Sequence, residues 1–104
     1  MSDTIVNFYG ALGFEQTEIE DNLVVLGIEV SATGDYALLT DDNGKMPDNL
    51  NQPVTFACYT PDDAYLWNAG FKNSALFKEV WETAATIEEK LAAIRQYREA
   101  NEVF

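Results

Sequence analysis

The chain has no histidine among its 104 residues. This removes the commonest general base and the commonest transition-metal ligand. It has one cysteine, Cys58, so neither an intrachain disulfide nor a cysteine-rich metal site can form. Cys58 lies between Ala57 and Tyr59 in a strand-like run and has no histidine to activate it. It therefore reads as a small core residue rather than a nucleophile. Neither a GxGxxG nor a GxxxxGK[ST] loop occurs, which excludes the common phosphate cradles. No stretch approaches the ~20 apolar residues of a membrane span. The N-terminal residues lack the basic region and apolar run of a signal peptide. These absences point to a cytoplasmic protein with no membrane association, no cofactor and no recognisable catalytic centre.

Basic residues are also scarce. Six lysines and arginines face eighteen acids, for a net charge of −12. The imbalance is uneven: residues 1–63 hold twelve acids and only Lys45, whereas residues 64–104 hold six acids against five bases. Direct binding of nucleic acid is not expected, because phosphate contacts need Lys and Arg. A basic protein partner is the natural complement of such a chain.

What is present is a globular composition, 47% hydrophobic and 12% aromatic, at a length that suits a single domain over 1–104. Helical spacing of Ile5, Phe8 or Tyr9, and Leu12 predicts a helix over 3–13, ended by Gly13 in the left-handed region with Phe14 folding back. Strands are expected over 14–20, 23–30, 36–40 and 54–59, with turns at Asp21-Asn22, at 32–35 and at 42–44. Thr60-Pro61-Asp62-Asp63 resembles a helix start, and a short helix is expected over 61–69, stopped by Gly70. Four successive apolar residues, Ala64 to Trp67, cannot all be buried by a surface helix, so Tyr65 or Trp67 should be exposed. Ser74 is the expected cap of the next helix, whose stripe is Leu76, Phe77, Val80 and Trp81. Thr86 with Glu89 forms a capping box for a last helix faced by Ile87, Leu91, Ile94 and Tyr97. The expected fold is α+β: an N-terminal helix, a four-stranded antiparallel meander, and two to three C-terminal helices packed on one face of the sheet.

Neighbouring carboxylates (Glu18 and Glu20, Asp41 and Asp42, Asp62 and Asp63) are numerous enough to arise by chance and read as solvated surface. Asp41-Asp42-Asn43-Gly44 supplies oxygen ligands around a turn, but Pro47 and Gln52 depart from a calcium-binding loop, and a hairpin turn explains it better.

The segment Phe8-Tyr9-Gly10-Ala11-Leu12-Gly13-Phe14 resembles the FYxxLGF segment of the glyoxalase-like vicinal oxygen chelate family. There it ends the helix of a βαβββ module and leads into a strand. The resemblance covers seven residues, and none of that family's metal-ligand positions carries over to this sequence.

The expected function is a non-catalytic binding protein, an inhibitor or adaptor. It would engage a basic partner through an acidic sheet surface and imitate the charge spacing of a nucleic-acid backbone. The candidate contact residues are Glu15, Glu18, Glu20, Asp21, Asp41 and Asp42, with the aromatics Tyr65 and Trp67. Two alternatives stand beside it. One is a ligand-binding module or enzyme with a pocket between sheet and helices lined by Tyr36, Tyr59 and Trp67. The other is a chaperone-like dimeric subunit.

Overall fold

The computed structural model describes residues 3–20 and 23–101. The elements run α1 (Asp3–Gly10), β1 (Glu15–Glu20), β2 (Leu23–Glu29), β3 (Tyr36–Asp41), β4 (Val54–Tyr59), β5 (Tyr65–Phe71), α2 (Ser74–Trp81) and α3 (Ile87–Asn101). The five strands form one antiparallel meander in the order β1-β2-β3-β4-β5. The α+β class holds, and the strand count is five rather than four. The turn expected at Asp21-Asn22 lies outside the described residues.

The additional strand replaces the helix expected over 61–69. Thr60 does not cap a helix; its Oγ1 accepts the N–H groups of Asp62 and Ala64, at 3.3 and 3.1 Å. Its own N–H donates to the Ala64 carbonyl at 2.9 Å, which closes a hairpin loop. Asp63, at φ 67°, turns the chain back on itself. Beyond this turn the chain has a period of two: Trp67, Ala69 and Phe71 pair with Cys58, Phe56 and Val54 and face the core, while Asn68 and Gly70 face away. A strand resolves the apolar run with a shift of register between Cys58 and Tyr59, which leaves Tyr65 and Leu66 exposed and turns Trp67 to the core face. Tyr65 is 57% exposed at its start.

The helix ends obey local chemistry. Gly13 has φ 103°, and the Phe14 N–H reaches back to the Tyr9 carbonyl at 3.0 Å, so the chain leaves α1 with Phe14 folded onto Tyr9, ring centroids 5.7 Å apart. The N-cap of α2 is Asn73 rather than Ser74, its Oδ1 accepting from the Leu76 N–H at 2.8 Å. Ser74 is buried instead, and its Oγ accepts the Tyr9 hydroxyl, tying α2 to α1. Half of the capping box at α3 forms: the Glu89 N–H donates to Thr86 Oγ1, and the Thr86 hydroxyl donates to the Glu89 carboxylate.

The core lies on one side of the sheet. Leu26, Leu39, Phe56 and Ala69 form a row across four strands, because cross-strand partners share a face. They belong to one buried cluster with Ile5 and Tyr9 of α1, Phe77 and Trp81 of α2, and Ile94 of α3. Phe77 is its hub: its ring lies 5.7 Å from Phe56 and 5.2 Å from Phe71, edge-on to the latter. Cys58 joins this cluster, 2% exposed. No helix among the described residues is long and apolar enough to cross a membrane.

Candidate functional site

Among the described residues, no helix borders the hollows on the opposite face of the sheet. The outward residues of that face follow from the same register: Glu15 and Thr17 on β1, Val25, Gly27 and Glu29 on β2, Tyr36 and Leu38 on β3, and Ala57 and Tyr59 on β4. Val25 and Leu38 are buried, at 0% and 7% exposure, yet they stand outside the core cluster. The face must therefore curl around them. Gly27 allows part of that curl. A Cβ there would come 2.6 Å from Thr17 Oγ1, so only glycine lets β1 lean this closely over β2.

The curl makes a depression with Leu38 at its centre. Three adjoining hollows all border Leu38. One, of about 570 Å³, lies among Thr17, Ile19, Tyr36, Tyr59 and Asp63. The next, of about 320 Å³, runs past Tyr59 to Ala57, Tyr65 and Asn68. The third, of about 180 Å³, extends to Glu15, Gly27 and Glu29. None of the bordering residues comes from a helix.

Three tyrosines furnish this depression. Tyr36 and Tyr59 are cross-strand partners with nearly parallel rings, centroids 5.4 Å apart and planes at 18°. Tyr65 stands edge-on to Tyr59 at 6.1 Å and 72°. The Tyr36 hydroxyl donates to Asp63 Oδ1 at 2.5 Å. Burial first, then the hydrogen bond to Asp63 and its charge, push the Tyr36 phenol up to about 12, so it remains a protonated donor at neutral pH. Two of the exposed large apolar side chains, Ile19 at 39% and Tyr65 at 57%, border the depression.

The depression is bordered by charge of one sign. Glu15, Glu18, Glu29, Asp41, Asp42 and Asp63 lie on its border, and no lysine or arginine does. On the helix side, Lys78 lies over the Phe8 ring, Lys90 over Trp81 and Arg95 over Trp67, at 5.7, 5.2 and 5.5 Å. Lys90 also donates to the carbonyls of Trp81 and Ala84, at 2.8 and 2.6 Å.

The residues singled out in the sequence divide accordingly. Glu15 and Tyr65 lie on the open face, and Asp42 borders it from the turn after β3. Glu18 pairs with Val24 on the other side of the register, at the free edge, and still borders the largest of the three hollows. Asp41 is buried, with Oδ1 accepting the N–H groups of Asn43 and Lys45 at 2.8 and 2.9 Å; its carboxylate closes its own turn. Trp67 faces the helices, half-buried against Phe56. Glu20 belongs to β1, its side chain undescribed, and Asp21 lies outside the described residues. The trio Tyr36, Tyr59 and Trp67 does not line one pocket, because Trp67 is on the opposite face from the two tyrosines. A separate cleft between sheet and helices, of about 570 Å³, is lined by Val54, Phe71, Leu76 and Tyr97, with Lys72 and Asp42. Among the described residues no group of three or more His, Cys, Asp or Glu is placed to hold a metal.

Sequence reasoning misses Asp63 and Ile19. It places Asp63 at a helix N-terminus, although Thr-Pro-Asp-Asp before the alternating run Tyr65 to Phe71 is equally a turn before a strand. Ile19 sits among the acids of β1, and the shift of register between Glu18 and Glu20 that accompanies its placement has no local signature. The chain matches no known family model, curated protein or solved structure, so its function is read from the geometry of the open face.

Proposed function

We propose that this protein is a non-catalytic binding protein, an inhibitor or adaptor, that engages a basic protein partner across the open face of its sheet. The observation that carries this is the depression around Leu38, furnished by three tyrosines and bordered by six acidic residues with no cation among its lining residues. Tyrosine anchors in a concave, partly apolar surface are the usual source of interface affinity. A border of one charge sign selects the partner and speeds its approach. Glu15 and Glu29 stand at one end, Asp63 and Asp42 elsewhere, and tyrosines lie between them. This spacing suits a polypeptide offering basic and apolar side chains. It suits less well the role of nucleic-acid mimic, since a duplex carries one charge per ~1.7 Å without such interruptions.

Affinity capture on the immobilised full chain, with elution in salt steps, tests the proposal when three proteins are compared. Wild type is expected to retain a basic protein that salt releases. The double variant Glu15→Lys, Glu29→Lys is expected to lose it. The variant Glu79→Lys, Glu99→Lys, which makes the same charge change at exposed sites on the helices, is expected to keep it. Equal loss in both variants would mean that net charge alone governs retention.

A further inference from the structure

We propose that the hollow between Tyr36, Tyr59 and Asp63 is an arginine-binding site, which takes the guanidinium of a basic partner and discriminates against lysine. This rests on the binding role proposed above and names the side chain that anchors it.

Three features of the hollow select the planar cation. The first is the tyrosine pair. Two nearly parallel rings with centroids 5.4 Å apart line the hollow, so it has aromatic surface on its border. A guanidinium stacks on such a surface, and it sheds water more readily than an ammonium does. The second is Asp63. Its Oδ1 is held by the Tyr36 hydroxyl at 2.5 Å, which leaves Oδ2 for another donor. A carboxylate fixed in this way meets the forked N–H groups of arginine without first losing side-chain freedom. The third is charge. Glu18 borders the same hollow, and no lysine or arginine of this chain competes for it.

The loop is built to keep Asp63 there. Asp63 is the non-glycine residue at positive φ, 67°, among the described residues. Its N–H donates to the Thr60 carbonyl at 2.9 Å, and the Thr60 hydroxyl accepts the N–H groups on either side of it. The depression is open to solvent, and Ile19 and Leu38 give it an apolar border and floor for the methylenes of an arginine stem. A trimethylated lysine would need a closed cage, whereas this site is open, with a stacked tyrosine pair and the carboxylates of Asp63 and Glu18 at its border.

The test titrates dye-labelled hexa-arginine and hexa-lysine, peptides of equal charge, into the full chain at low salt and follows fluorescence anisotropy. Hexa-arginine is expected to bind about tenfold more tightly, the scale of one stacked, charge-paired guanidinium. Asp63→Asn keeps a residue that tolerates positive φ, and Tyr59→Leu keeps apolar bulk. Each is expected to abolish the preference, so that the arginine and lysine peptides bind with equal affinity. Circular dichroism and urea melts establish that both variants are folded. Equal affinity for the two peptides in wild type, abolished by Glu15→Lys with Glu29→Lys, would overturn the arginine site and leave the acidic-face role standing. Failure of both peptides to bind would overturn both. A preference for arginine that survives in both folded variants would place the site elsewhere.

Discussion

Tyr9, Tyr36 and Cys58 each ionise at higher pH in the fold than in an open chain, all at about 12, and burial is the leading cause in each case. Their ordinary values are 10.0 for the phenols and 9.0 for the thiol. A folded pKa above the unfolded one means that the native state holds its protons longer. The associated stability is complete below the unfolded pKa and is lost as pH rises through the folded one. Urea midpoints are therefore expected to hold steady below about pH 9 and to fall steeply toward pH 12. Tyr9→Phe should flatten part of that fall, whatever it costs through the lost bond to Ser74. Cys58 gives a second residue-scale expectation. As a buried neutral thiol it should react with a disulfide reagent at least about a hundredfold more slowly in the native protein than in urea. Rapid native labelling would show that it is not the core residue described. The place of Cys58 is legible in the sequence, because a lone cysteine between Ala57 and Tyr59 in an alternating run has one inward option. The role of Asp63 is not, since it depends on a hydroxyl 27 residues away and on a backbone turn that only the closed hairpin enforces.

Among the elements, those fixed by neighbours in sequence are readable and those fixed by distant partners are not. The left-handed turn at Gly13 just after α1, which ends at Gly10 rather than at Gly13, and the start of α3 after Thr86 follow from a few adjacent residues. Strand β5 reads as a helix in the sequence because its leading residues, Thr60 to Asp63, satisfy helix-start chemistry. What overrides them is the burial of Trp67, Ala69 and Phe71 against β4 and the C-terminal helices. Two substitutions test the elements directly. Asn73→Ala removes the N-cap of α2 and should cost about 1 kcal/mol in urea unfolding. Gly27→Ala sets a methyl against Thr17 and should cost about 1–3 kcal/mol of overpacking. It should also push β1 away from β2, so hexa-arginine affinity should fall with it. A Gly27→Ala protein of wild-type stability and affinity would mean that β1 does not lean over the depression as described.

For the molecule as a whole, the charge division seen along the chain leaves the open face bordered, among the described charged residues, by acids alone. The acid-rich residues 1–63 supply α1, four strands and the Asp63 turn, whereas residues 64–104 supply β5 and two helices on which Lys78, Lys90 and Arg95 rest on aromatic rings. The sequence shows the asymmetry plainly. It does not show that one face of the sheet stays open, because that depends on all three helices choosing the other. Chemical-shift mapping of the isotope-labelled full chain during titration with hexa-arginine, at low and then at high salt, tests the binding role most directly. The binding role requires amide shifts concentrated at Thr17, Ile19, Tyr36, Leu38, Tyr59 and Asp63, with α2 and α3 unperturbed, and their disappearance as salt is raised. Shifts spread over the helices, or none at low salt, would contradict it.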